Sequence, residues 1–219
     1  MAAGGTDAKL RVSEIFHSVQ GESSSVGLPT VFIRLTGCPL RCVWCDTAYA
    51  FSGGELMTVA EAADKVAAFG CKTVCVTGGE PLAQKACLDL LTVLCDAGYS
   101  VSLETSGALD ISGVDPQVSC VMDLKAPGSG ETAKNRLDNL DHLTAQDELK
   151  IVLASAEDYE WAKAMLVEHR LLARCPVLFA PVADRLAPGT LAEWILRDGL
   201  PVRFQLQLHK VLWGSERGR

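Results

Sequence analysis

Positive charge is in short supply in this 219-residue sequence: 20 Lys and Arg stand against 27 Asp and Glu, a net charge of −7. Nucleic acid is therefore set aside as a partner, because phosphate binding needs a broad field of cations. Long apolar runs are missing too. The longest are strand-sized, far below the roughly 20 residues of a membrane span, so no membrane partner is expected. The opening MAAGGTDAKL has no basic segment followed by an apolar stretch, so no secretory signal is expected. Residues 1–10 read as a flexible leader, and the expected location is cytoplasmic. No internal repeat, low-complexity tract or linker divides the chain. It reads as one domain over 1–219, with a short tail at 215–219.

What the sequence has in excess is cysteine, nine in all. In a reducing cytosol they are core filler or metal ligands rather than disulfides. Cys75 in TVCVT, Cys120 in VSCVMDL, and Cys87 and Cys95 in a helical pattern behave as small buried hydrophobes. Cys71 is separated from Cys75 by three residues, but a strand setting for Cys75 argues against ligation there. Cys175, before Pro176, reads as structural.

Short β-branched runs alternate with helical patterns. Strands are expected at 30–35, 73–79, 100–105, 120–125, 148–154, 176–182 and 202–208. Helices are expected at 57–70, 81–97, roughly 156–172, and near 188–198. Thr58 and Glu61 form a capping box for the first helix, and Gly70 stops it. This alternation predicts an α/β fold, a partial open β/α barrel of about six mainly parallel strands, too few for a closed eightfold barrel. Sites in such folds lie at the C-terminal strand ends.

One such end carries GCPLRCVWCDT (37–47), with Cys38, Cys42 and Cys45 at spacings of four and three. A loop lets three thiolates converge on one cluster. Three ligands are one short of a four-cysteine cage, which leaves one iron open to an outside chelator. A closed zinc site wants four ligands, and His17 and His142 lie far off without metal-ligand spacing. A second motif, VTGGEPL (76–82), ends a strand with glycines that let a ligand approach the backbone.

The CxxxCxxC loop followed by GGEP resembles the radical S-adenosylmethionine (SAM) superfamily. That resemblance implies a [4Fe–4S] cluster, one per chain, on Cys38, Cys42 and Cys45, with SAM on the open iron. By the same resemblance, reduction would cleave SAM to methionine and a 5′-deoxyadenosyl radical. Trp44 would pack on the adenine side. Gly78, Gly79 and Glu80, or the nearby backbone, would accept the SAM ammonium.

Residues 16–47, FHSVQGESSSVGLPTVFIRLTGCPLRCVWCDT, and LQLHKVLWG (206–214) narrow the match. They resemble the 7-carboxy-7-deazaguanine synthase family of that superfamily. The implied reaction is a lyase step from 6-carboxy-5,6,7,8-tetrahydropterin to 7-carboxy-7-deazaguanine with loss of ammonia, feeding queuosine biosynthesis. The resemblance places Val19, Gln20, Gly21 and Glu22 on the pterin. Glu22 would take the guanidine-like edge, although without the flanking motif it reads as a solvated loop acid. Arg34 would hold the substrate carboxylate, and Thr105 and His209 would face the substrate. Gly107, Asp123, Leu124, Lys125, Phe179, Ala180, Pro181 and Val182 would form the rest of the SAM site. Thr47 would bind Mg²⁺, though from the residues alone an ST-turn after Asp46 serves as well. The family further implies an external electron donor such as flavodoxin or ferredoxin, and a homodimer. Some members stop a few residues after the HK motif, whereas this sequence continues through SERGR to Arg219. A glycyl-radical activating enzyme shares the cysteine spacing but has no use for the 20–22 and 209–210 strings. A non-catalytic iron–sulfur or zinc protein has no use for GGEP.

Overall fold

Runs such as TVCVTG and SVSLET pair β-branched residues with short turns, and they become adjacent parallel strands. The computed structural model describes residues 5–214 and 216–218. Nine strands form one sheet: β1 (Lys9–Val19), β2 (Pro29–Leu35), β3 (Glu55–Thr58), β4 (Thr73–Gly78), β5 (Ser100–Thr105), β6 (Ser119–Asp123), β7 (Glu148–Leu153), β8 (Val177–Pro181) and β9 (Arg203–Phe204). Their spatial order is β3-β1-β2-β4-β5-β6-β7-β8-β9. From β2 to β9 every neighbouring pair is parallel, while β1 runs antiparallel to both β2 and β3. The sheet is open, as expected, and carries an antiparallel extension at one side. Five helices accompany it: α1 (Val59–Ala67), α2 (Ala86–Asp96), α3 (Ala156–Glu168), α4 (Pro188–Asp198) and α5 (Leu208–Trp213).

Strand alternation sorts side chains between the two faces. Val74, Val76, Val101, Leu103, Met122, Leu149, Ile151 and Phe179 join helix residues such as Leu90, Leu94 and Ala162 in one buried core. The residues between them turn the other way. Phe32, Arg34, Thr77, Glu104, Val121, Asp123, Lys150 and Val152 line a cavity of about 920 Å³. Register then sets the charge pairs, because Glu14 faces Arg34 across β1–β2 and Asp123 faces Lys150 across β6–β7.

Several expected boundaries move. The leader is shorter than 1–10: β1 opens at Lys9, and Leu10 is fully buried and pairs with Met57 of β3. The helix expected over 81–97 is broken into a 3-10 turn at Pro81–Ala83 followed by α2. Gln84 causes the break. Its backbone is extended, and its amide bridges Arg11 N, Arg11 O and Thr36 O at 2.8–2.9 Å. The helix expected to 172 stops at Glu168, and Arg170 takes a left-handed φ of 50°. The strand expected over 202–208 survives only as Arg203–Phe204, because Leu208 N donates to Gly21 O at 2.9 Å and opens α5. The Thr58–Glu61 capping box forms on α1 as read.

Candidate active site

Gly37 follows β2 with φ +101°, a conformation that favours glycine, and turns the chain into the cysteine loop. The loop is closed by Gly37 N donating to Ala50 O at 2.8 Å and Cys45 N donating to Cys42 O at 3.1 Å. Cys38, Cys42 and Cys45 are free thiols that line the same cavity. Burial pushes the thiols of Cys38 and Cys42 up on balance, with the Lys125 ammonium offsetting part of the rise in both. Leu40 N donates to Cys38 Sγ at 3.4 Å. Three sulfurs on one wall, a backbone N–H on one of them and a cation beside two of them suit a thiolate-held iron–sulfur cluster. Among the described residues no three His, Cys, Asp or Glu side chains meet closely enough to hold a single ion. A polynuclear cluster asks one sulfur of each iron and needs no such meeting point.

The GGEP turn is built against this loop. A Cβ on Gly78 would collide with Leu35 O, and one on Gly79 with Gly37 O and Cys38 Cβ. Glu80 N donates to Gly37 O at 2.8 Å. The Glu80 side chain, however, does not line the cavity. It is fully buried and accepts from Thr105 Oγ1 at 2.9 and 3.0 Å, Ser106 N at 2.7 Å, Ser106 Oγ at 2.5 Å and Leu82 N at 3.0 Å. A carboxylate with four protein donors has little capacity left for an ammonium. The open groups here are the backbone atoms of Gly78 and Gly79, which line the cavity.

Farther along the floor, Asp123 Oδ2 lies 3.0 Å from Lys125 Nζ and 3.6 Å from Lys150 Nζ. Its other oxygen, Oδ1, is buried without a hydrogen-bond partner among the described residues. Lys150 Nζ also reaches Glu22 Oε2 at 2.5 Å, and Gln207 Nε2 donates to Glu22 Oε1 at 2.8 Å. Burial pushes the Glu22 carboxyl up, but Lys150 and Gln207 together outweigh it and hold the group below its ordinary range. Glu22 is therefore a fixed part of the floor.

On the β1–β2 side, Glu14 Oε1 accepts from Arg34 Nε at 2.6 Å and from Tyr49 OH at 2.7 Å. The Arg34 guanidinium lies 5.8 Å from the Phe16 ring centre and 5.9 Å from that of Tyr49. Among the described residues only Nε of Arg34 has a hydrogen-bond partner, and Arg34 lines the cavity, which leaves its two Nη groups as a donor pair. Thr47 Oγ1 donates to Asp46 Oδ1 at 2.9 Å, and Asp46 Oδ2 pairs with Lys210 Nζ at 2.6 Å. The Thr47 hydroxyl thus donates to the neighbouring carboxylate and accepts no backbone N–H of the turn that follows, so the expected ST-turn does not form. Val19, Gln20, Gly21 and His209 line the opposite wall. Gly21 has a local reason of its own, since a Cβ there would run into the His209 ring.

Most of the residues singled out in the sequence converge. The three cysteines, Trp44, Thr47, Gly78, Gly79, Thr105, Asp123, Leu124, Lys125, Val182, Arg34, His209 and the 19–22 stretch all border the cavity. Phe179 does not. It packs edge-on against Tyr159 in the core, 6.2 Å between ring centres. Ala180 and Pro181 are buried in β8, and of that run Val182 is the cavity residue. Gly107 is also set back, its carbonyl accepting from Arg136 N and Asn139 Nδ2. Residues passed over in the sequence are present as well: Tyr49, Glu104, Lys150 and Gln207 line the cavity, and Glu14 stands behind them holding Arg34 and Tyr49. A single lysine inside the apolar run ELKIVL was a usable signal. The tail returns to the site, with Arg217 stacked 4.0 Å over the Tyr49 ring.

The radical SAM superfamily matches residues 32–117. A 7-carboxy-7-deazaguanine synthase of Chlorobaculum tepidum is 48% identical, over 96% of this chain and 97% of that protein. One from Koribacter versatilis is 40% identical, over 94% and 98%. Among solved structures, QueE from Escherichia coli shares the fold with a TM-score of 0.73, covering 92% of this chain and 95% of that one at 23% identity. The conjunction of the cysteine loop, the glycine turn packed on it and near full-length identity places the chain in the 7-carboxy-7-deazaguanine synthase family of the radical SAM superfamily.

Proposed function

We propose that this chain is a single-domain radical SAM lyase that converts 6-carboxy-5,6,7,8-tetrahydropterin to 7-carboxy-7-deazaguanine with loss of ammonia, in queuosine biosynthesis. The observation that carries this reading is one cavity whose lining holds three thiols together with a carboxylate and a guanidinium suited to the two ends of a carboxypterin. The family carries a [4Fe–4S] cluster and SAM, and when bound they supply the radical chemistry. Cys38, Cys42 and Cys45 hold the cluster.

The chain's own residues bind and orient. Backbone groups at Gly78 and Gly79 face the SAM amino acid. Asp123 Oδ1, buried and unpartnered among the described residues, takes a hydroxyl donor of the SAM ribose. Glu22 accepts the two donors of the pterin's guanidine-like edge, and the Arg34 Nη groups hold its carboxylate. Thr47 and the neighbouring Asp46 offer oxygens to Mg²⁺, an ion that takes few protein ligands and keeps its waters. A small flavoprotein or ferredoxin supplies electrons, the protein works in the cytoplasm, and two copies form the working unit. No helix of the described residues is long and apolar enough to cross a membrane.

The test is anaerobic incubation of reconstituted, reduced protein with SAM, Mg²⁺ and the carboxytetrahydropterin, followed by mass spectrometry. The expected products are 7-carboxy-7-deazaguanine and ammonia. SAM cleavage with the pterin left unchanged would remove the substrate assignment.

A further inference from the structure

The residue no motif announces is Lys150. It sits in β7 with its side chain 11% exposed, touching Glu22 on one flank and Asp123 on the other. Burying an ammonium is costly, and burying it between two carboxylates meets that cost only if all three stay ionised. Lys150 is held protonated. Burial alone would pull its pKa down, but Glu22, Asp123 and Glu104 outweigh burial and push it well above its ordinary value. It is thus a fixed charge, unable to serve as an acid or base near neutral pH.

What that charge fixes is Glu22. An ionised carboxylate has about four lone-pair sites and no donor. Lys150 takes one on Oε2 and Gln207 takes one on Oε1. One site per oxygen remains, a pair of parallel acceptors. A 2-amino-4-oxo pyrimidine ring presents two parallel N–H donors on that edge. A ring with oxygen in place of the 2-amino group presents one N–H and one carbonyl.

We propose that Lys150 is the positioning residue that keeps Glu22 an acceptor-only carboxylate, and so makes the site select a 2-amino ring edge over a 2-oxo one. Without the ammonium, a carboxyl this buried goes over to its neutral acid. The acid carries one O–H donor and one acceptor and accommodates the 2-oxo edge. Among the described residues the only other cation-capable group acting on Glu22 is His209 on α5. Asp123 keeps its partner in either case, because Lys125 Nζ lies 3.0 Å away.

This inference rests on the substrate reading above, and the experiment separates the two. Reconstituted holoenzyme is titrated anaerobically with 6-carboxytetrahydropterin and with its 2-oxo analogue. Wild type is expected to prefer the amino form by about a hundredfold or more, since a site built for a donor leaves polar groups unpaired when it is missing. Lys150→Met should weaken the amino ligand about tenfold or more and narrow the preference to within about tenfold. SAM affinity should stay within about threefold, and Lys150→Arg should recover much of the preference. If Lys150→Met weakens both ligands equally and keeps the preference, Lys150 is mere scaffold and the proposal falls. Should Lys150→Met fail to fold, the pair E22Q and E22Q/K150M decides, because position 22 is then uncharged in both and Lys150 has no carboxylate left there to act on. Equal preferences in those two support action through Glu22, and a further drop in the double variant overturns it. Wild type that binds neither ring removes the substrate reading itself, and this inference with it.

Discussion

Glu80 offers a sharp division between holding the protein together and holding a ligand. Four donors converge on its carboxylate: Thr105 Oγ1, Ser106 N, Ser106 Oγ and Leu82 N, at 2.5–3.0 Å. In Glu80→Ala the two hydroxyls can turn elsewhere, but the two backbone N–H groups cannot. Ser106 is buried, so its N–H loses a charged partner outright, whereas Leu82 is half-buried and water reaches it more easily. An orphaned buried donor costs about 1–3 kcal/mol, and the vacated volume adds to this, so a loss of about 3–5 kcal/mol follows. That is a large share of the roughly 5–15 kcal/mol available to a domain. Glu80→Gln keeps one acceptor oxygen and should lose about 1–3 kcal/mol. Urea unfolding of the metal-free chain measures both, as a shift of midpoint at constant slope. SAM affinity of reconstituted Glu80→Gln should stay close to wild type. A Gln variant as stable as wild type that had lost SAM binding tenfold would refute the reasoning and return Glu80 to the ligand.

Cys38→Ala, Cys42→Ala and Cys45→Ala should each abolish uptake of about four irons per chain, whereas Cys75→Ala, inside a strand, should keep the iron and lose only stability. Gly79→Ala should cost about 1–3 kcal/mol or more and lower iron uptake, since the new methyl would meet the Gly37 carbonyl and Cys38. Asp198 accepts from Arg197 and Lys163, which hold its carboxyl well below the ordinary value of 3.8. Its stabilising effect is therefore present above that value and fades as pH falls through and below it. Asp198→Asn should be less stable than wild type in thermal melts at pH 7, and the difference should close below about pH 4.

The fold was legible wherever an element's residues answered mainly to their own neighbours in sequence. β4 and β5 are β-branched runs bounded by turns, and both came out within a residue of expectation. α1 carried its own capping box. β1 was missed because a register shift between Val12 and Glu14 breaks the period-2 alternation of KLRVSEIFHSV and puts Ile15 and Phe16 side by side. The last expected strand failed for the opposite reason. VRFQLQL has strand periodicity, but the bond from Leu208 N to Gly21 O diverts it into α5, a contact spanning most of the chain. Gln84 likewise breaks a helix because its amide finds backbone partners in the β1 and β2 segments.

The same distinction runs through the site. Residues that meet a ligand from loops at strand ends cluster in sequence, because one short turn must present several groups to one small object. That is why the cysteine loop and the glycine turn could be read directly. The residues that hold those groups in place come from wherever sheet register happens to put them. Glu14 reaches Arg34 because β1 and β2 align them, and Lys150 reaches Glu22 across 128 positions of sequence. Register depends on the pairing of whole strands, so no local pattern encodes it. Glu80 shows where the two kinds of residue are confused: it stands inside a ligand-binding motif, yet its carboxylate faces inward and ties the ends of β4 and β5 together. A motif thus marks where a ligand lies, while the assignment of each side chain within it has to come from counting which of its polar atoms are already spoken for.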